Sequence, residues 1–170
     1  ITLSGQLSIR WAEKHVNEWM NKTLGTEGED YVIACDTDSM YITLDRLVDK
    51  TFEGKTPTTD SIIDWMDRAA EKIIEPYIDK VYNKLATYMN AYEQKMFMKR
   101  EALADKGIWT AKKRYALHVF DLEGTRFKEP YMKIMGLETQ RSSVPLICRD
   151  NMKKATVSYT HLTLPTSSQV

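Results

Sequence analysis

Cysteine is scarce in this 170-residue chain, and the two present, Cys35 and Cys148, lie far apart with no CxxC or paired-histidine pattern around them. That spacing excludes a disulfide framework and a structural zinc site, and it points to a reducing compartment. No apolar run approaches the ~18 to 20 residues that span a bilayer, and no basic segment followed by an apolar one opens the chain. Neither membrane insertion nor export is expected. The sequence also lacks an initiating methionine, starting directly on Ile1 in a helical pattern, so we expect a piece of a longer protein. Histidine is sparse too, and His15 and His118 have no partner spacing that would assign them chemistry.

What is present is an ordinary folded composition, 42% hydrophobic and 28% charged, compatible with one domain. Formal net charge is zero, but the signs are segregated: residues 26–93 hold 15 acidic and 7 basic side chains, and residues 94–141 hold 11 basic and 6 acidic, or −8 and +5. An acidic site next to a surface facing polyanions explains this, and so does a pair of mutually solvated faces.

Leu3, Leu7, Trp11, Val16, Trp19 and Met20 recur at helical spacing, which predicts an amphipathic helix ending near Leu24, with Gly25 as its stop. Tyr31 to Ala34 and Met40 to Leu44 are β-branched and aromatic, with turn residues Asp36 to Ser39 between them, and predict a hairpin. After a loop over residues 54–59, Asp60 or Ser61 can cap a long helix reaching Tyr88, with a kink at Pro76. From Lys95 the period changes to two. Residues 96–103, 107–121 and 125–136 predict three strands, separated by Asp105-Lys106-Gly107 and by Glu123-Gly124. The order helix, hairpin, helix, meander predicts an α+β fold with an antiparallel sheet packed on helices.

The last residues stand apart. Their alternation would suit one more strand. Yet VSYTHLTLPT, Val157 to Thr166, is the translation of GTCTCTTATACACATCTGACGCTGCCGACG, which resembles a transposon-derived sequencing adaptor. Residues 157–170 are therefore expected to be read-through rather than native fold.

The chemistry-bearing residues are Asp36 and Asp38. Two aspartates at a turn ordinarily reflect only the tolerance of Asp for turn geometry. Here Val32, Ile33, Ala34, Met40 and Ile42 would set them against a sheet surface of low dielectric, where unpaired charge is costly. A cation is then expected. A calcium loop counted from Asp36 fails, because position five is Met40, position six is Tyr41 and position twelve is Leu47. Magnesium suits the pair better, since it takes one or two carboxylates and completes its shell with water and phosphate oxygens. Further along, Lys112, Lys113 and Arg114 place consecutive cations on a predicted strand, with Tyr115 beside them. Such a strand can grip a phosphate backbone; an edge strand guarded by lysines is the plainer explanation.

The Asp36-Thr37-Asp38-Ser39 hairpin, followed by Lys112-Lys113-Arg114-Tyr115, resembles the palm of a family B DNA polymerase. MFMKREAL (96–103), KGIWTAKKRYAL, DLEGTR and KIMGLETQ with Ser142, Ser143 and Pro145 follow in the order found in replicative polymerases of T-even-type bacteriophages. The similarity covers Ile1 to about Ala155. It implies a palm over residues 1–135, truncated at its N-terminus, and the start of a thumb over residues 136–156. It further implies nucleotidyl transfer from a dNTP to a primer 3′-hydroxyl with two Mg2+ ions, in the cytoplasm of an infected bacterial host. Carried over by resemblance, Asp38 bridges the metals and Asp36 is the weaker or indirect ligand. Glu101 is a group near the metals or, equally, a cross-strand partner of Arg100 or Lys99. Lys112, Lys113, Arg114 and Tyr115 grip the primer strand, and Arg141 meets the duplex backbone.

The sequence departs from the family in places. Ala34-Cys35 stands where the phage motif reads Tyr-Gly, Lys99 stands where the phage enzymes carry an acid, and residues 103–109 form a shorter segment. The family's other metal-binding aspartate and its fingers helix are not in this sequence, so the chain alone is expected to be inactive. The resemblance also implies primer–template DNA and dNTP as partners, and a sliding clamp engaged through a tail not in this chain. A non-catalytic nucleic-acid-binding module is the competing class. A reverse transcriptase would need adjacent aspartates, which are not here.

Overall fold

The computed structural model describes residues 2–140 and 143–161. They form an α+β fold with two antiparallel sheets, divided into two compact units, Ile1–Arg100 and Glu101–Val170.

In the first unit, α1 (Thr2–Leu24) ends as its pattern predicts, and Gly25 follows with φ 72°. The hairpin is β1 (Val32–Asp36) and β2 (Ser39–Ile42), with Asp36 opposite Ser39. A short helix, α2 (Asp45–Thr51), follows; it was not expected, because its seven residues are too few to display a period. Thr58, rather than Asp60 or Ser61, caps α3 (Thr59–Ala69), its hydroxyl accepting from the Ser61 amide at 3.3 Å. The disturbance expected at Pro76 takes the form of a π-helical turn over Ala70–Ile74, directly ahead of α4 (Glu75–Tyr88). Pro76 has no N–H to give to the carbonyl four residues back, and a widened turn lets the helix run on.

The unit's core lies where α1 meets α4 and the hairpin: Ala12, Val16 and Met20 pack with Tyr31, Val32, Ile78, Tyr82 and Leu85. Burying such side chains contributes about 1.5 to 3 kcal/mol apiece for the larger ones. Trp11 donates its indole N–H to the Val81 carbonyl at 3.2 Å, and Trp19 stacks on Tyr77.

The strand expected over residues 96–103 starts only at its end. Residues 93–100 lie outside any ladder, and pairing begins where the Glu101 carbonyl accepts from the Glu123 amide. The Gln94 amide engages both backbone groups of Met96, and the Arg100 N–H donates to the Glu75 carboxylate at 2.8 Å. Side chains thus take the place of a neighbouring strand.

The second unit holds the three-stranded sheet β3 (Ala102–Ala111), β4 (Arg114–Leu122) and β5 (Thr125–Met135), in that order. The meander is as predicted, but its first turn is elsewhere. Asp105-Lys106-Gly107 lies inside β3, at an irregularity in its register with β4. Gly107 is there for space: a Cβ would meet the Trp109 ring and the Leu117 side chain at 2.7 Å. The reversal falls instead at Lys112-Lys113, with Ala111 opposite Arg114. The second turn, Glu123-Gly124, is as expected, with φ of 50° and 83° suiting a tight hairpin. Helix α5 (Leu146–His161) closes the described chain. Residues 157–161 therefore continue a helix rather than form a strand, and residues 162–170 lie outside the described residues.

Candidate functional site

The Asp36-Thr37-Asp38-Ser39 tip is a two-residue turn mounted on α1. Asn17 of α1 accepts the Tyr31 and Val32 amides on Oδ1 at 2.8 and 3.0 Å, and donates to the Asp30 carboxylate at 2.7 Å. One helical turn on, Asn21 donates to the Glu29 carbonyl and accepts from its amide, at 2.8 and 3.1 Å. Two amides on one helix face thus satisfy backbone groups at the entry to β1, while the Tyr31 carbonyl accepts from the Thr43 amide across the hairpin.

At the tip itself, Thr37 adopts φ 46°, a left-handed conformation that a β-branched residue rarely takes. Such strain costs on the order of 1–3 kcal/mol and collects at functional positions. The Thr37 hydroxyl donates to Asp36 Oδ1 and the Ser39 hydroxyl to the Asp36 carbonyl, each at 3.1 Å. Asp36 is half-buried, whereas Asp38 is exposed. The expected placing of both carboxylates against a low-dielectric surface is corrected for Asp38: Ile33, which would have screened the outer face, is itself 49% exposed. Behind the tip, burial pushes the Cys35 thiol up to about 11, with Glu13 adding to the rise.

The oxygen donors of this turn suit a hard cation. Among the described residues no group of three or more His, Cys, Asp or Glu side chains gathers. The donor set therefore fits an ion that keeps water or substrate oxygens in its shell rather than one enclosed by protein.

Lys112, Lys113, Arg114, Tyr115 and Glu101 belong to the second unit. Lys112 and Lys113 are exposed at the β3–β4 turn, not on a strand as expected, and Lys113 has φ 60°. Ala111 and Arg114 pair across the reversal, so the two lysines project beyond the ladder rather than onto opposite faces of it. Arg114 opens β4 and makes an ion pair with Glu138. Tyr115 is only 8% exposed, its ring tilted beside Trp109 at 6.3 Å, so it offers little surface to a ligand.

Glu101 precedes β3 and accepts from Lys133 of β5 at 2.6 Å, so its cross-strand partner is neither Arg100 nor Lys99. Burial works to lower the Lys133 pKa, but the hydrogen bond and charge of Glu101 outweigh it and hold the ammonium above its ordinary value. Arg100 pairs instead with Asp67 at 2.6 Å. Arg141 lies outside the described residues. Glu138 and Gly136 escaped the sequence reading because their partners are remote in sequence: a Cβ on Gly136, where φ is 65°, would sit 2.0 Å from the Lys113 carbonyl oxygen.

No family model matches the chain. Among curated proteins it is 46% identical over 162 residues to the DNA-directed DNA polymerase of Escherichia phage RB69, and 41% identical over 163 residues to that of Enterobacteria phage T4. Each match covers 91% of this chain, and the chain spans 18% of the length of each relative. The chain is thus, over nine-tenths of its length, a homologue of one stretch of the DNA-directed DNA polymerases of T4-like phages.

Proposed function

We propose that this chain supplies the palm and the start of the thumb to a template-directed DNA polymerase that transfers a nucleotidyl group from dNTP to a primer 3′-hydroxyl in phage DNA replication. The observation that carries the reading is the Asp36–Ser39 tip, strained at Thr37 and exposing Asp38, inside a stretch that matches phage polymerases. Asp38 and Asp36 would hold two divalent ions, Mg2+ by donor type. Bound there, such a pair lowers the pKa of the primer hydroxyl and neutralises the departing pyrophosphate.

The chain's own residues divide the remaining work. Thr37 keeps the Asp36 carboxylate aimed, and the Asn17 and Asn21 bridges keep the hairpin from swinging. Glu101 is already engaged by Lys133, so any part it takes in the reaction runs through, or in competition with, that pairing. Lys112 and Lys113 contact backbone phosphates, which positions DNA without reading its sequence, as a copying enzyme requires. The host compartment would be the cytoplasm of the infected bacterium, and a sliding clamp would be engaged outside this segment. By itself the chain is proposed to be inactive, because two carboxylates at one turn do not complete a two-metal site.

The test compares this chain with the full-length polymerase containing it, on primed template with Mg2+ and all dNTPs. Extension is expected only from the full-length protein. Asp38→Asn should lower its turnover by more than about 100-fold, since even the outer partners of metal ligands cost 10–100-fold, with DNA affinity nearly unchanged. Full turnover by Asp38→Asn would refute the metal role, and binding of DNA with no extension by any form would favour the non-catalytic module.

A further inference from the structure

We infer that Glu138 is a positioning residue for the DNA-facing turn: through its ion pair with Arg114 it holds the Lys112-Lys113 reversal in register. The inference rests on the proposed role of that turn in gripping the primer strand.

The sequence presents Lys112, Lys113 and Arg114 as three equivalent cations, and the structure separates them. Lys112 and Lys113 occupy the turn and are exposed, whereas Arg114 is the first residue of β4 and its Nη2 donates to both Glu138 carboxylate oxygens. A charge-assisted contact of this kind is stronger than a neutral hydrogen bond and draws the start of β4 towards the post-β5 segment. Glu138 begins a single 3-10 turn, Glu138–Gln140, immediately after β5. Gly136, two residues earlier, brings that segment against the Lys113 carbonyl so closely that any Cβ would collide. Leu137, 9% exposed, anchors the same segment in a small core with Ala116 and Ile134. Two contacts, one ionic and one steric, therefore tie the post-β5 segment to Arg114 and Lys113. Lys113 holds a left-handed φ of 60°, a conformation that drifts unless its surroundings impose it.

The consequence is a reversal of sign. If Arg114 were one more phosphate contact, removing the nearby Glu138 carboxylate would strengthen binding to a polyanion. If Glu138 positions the turn, removing it weakens binding. The experiment measures affinity of the full-length polymerase for a 3′-recessed primer–template at several salt concentrations, with thermal denaturation as a check on folding. Glu138→Gln and Arg114→Gln should each weaken binding by about threefold, and the double variant should be no worse than either single. The exchange Arg114→Glu with Glu138→Arg should restore affinity, a rescue that mere loss of stability does not produce. Lys113→Gln should flatten the plot of log affinity against log salt by about 0.9, one phosphate contact.

Tighter or unchanged binding by Glu138→Gln, with Lys113→Gln still flattening the plot, overturns the positioning role alone. No change in slope for Lys113→Gln overturns the DNA-facing reading of the turn on which it rests.

Discussion

Replacing Asn17 tests whether the hairpin is mounted on α1 as described. Leucine matches asparagine in branching and is a better helix former, so Asn17→Leu leaves α1 intact while removing every hydrogen bond of the amide. The Tyr31 and Val32 amides, on residues each 3% exposed, lose their acceptor. An orphaned buried donor costs about 1–3 kcal/mol. The two orphaned donors together should then cost about 2–6 kcal/mol. Asn17→Asp separates the terms. It keeps the oxygen that accepts both amides and loses only the donation to Asp30, replacing it with a carboxylate facing a carboxylate where 2.7 Å now separates partners. Both groups face solvent, so that penalty should be about 1 kcal/mol. The assay is urea denaturation of the 170-residue chain followed by tryptophan fluorescence, with Trp11, Trp19 and Trp65 reporting on the first unit. A cost below about 0.5 kcal/mol for Asn17→Leu at unchanged m-value would refute the mounting argument. So would equal costs for the two variants, because acceptor geometry would then not be the deciding term.

Two further outcomes follow from the same structure. Gly136→Ala should lower thermal stability by more than about 2 kcal/mol, since a Cβ 2.0 Å from a backbone carbonyl cannot be relieved by a rotamer change; Gly124→Ala, whose φ of 83° is strained but whose surroundings are open, should cost only about 1–2 kcal/mol. Cys35, raised by burial from 9.0 to about 11, should resist iodoacetamide at pH 8 while the exposed Cys148 reacts, and its rate should rise towards pH 11. Because its folded pKa lies above the unfolded one, its contribution to stability is complete below pH 9 and is lost as pH climbs through about 11. Equal labelling rates for the two thiols at pH 8 in the folded chain would contradict this.

The sequence was most legible where a period ran long enough to be counted. Helix α1 and the hairpin were recognisable because a buried face forces apolar residues to recur, whereas the strand expected over residues 107–121 joined the end of β3, the reversal and β4, which is buried on both faces. Three features resisted for identifiable reasons. Helix α2 is too short to show a face. Asp105-Lys106-Gly107 reads as a turn by composition, yet the glycine answers to the Trp109 ring above it, a contact that no local pattern encodes. Lys95 to Arg100 alternates like a strand and has none to pair with, so Gln94 and Glu75 satisfy parts of its backbone. At the candidate site, the residue types were visible and their engagements were not. Nothing in the sequence ties Glu101 to Lys133 or Arg114 to Glu138, because each pair joins segments more than twenty residues apart.

The two turns that carry the candidate chemistry share a feature that composition alone would not suggest. Each reverses the chain within two residues, and each places a non-glycine residue at positive φ: Thr37 at 46° and Lys113 at 60°. Glycine would adopt either conformation without the roughly 1–2 kcal/mol penalty of an L-residue there; the Glu123-Gly124 turn has glycine at one of its two positive-φ positions and Glu123, at 50°, at the other. Stability therefore favours glycine at positions 37 and 113, and the sequence does not supply it. What glycine cannot provide is the hydroxyl that Thr37 gives to Asp36, or the cation that Lys113 adds to the β3–β4 turn. Glu123 bears the same kind of strain, so it is the Thr37 hydroxyl on Asp36 and the exposed Lys113 cation, rather than positive φ alone, that set these two turns apart.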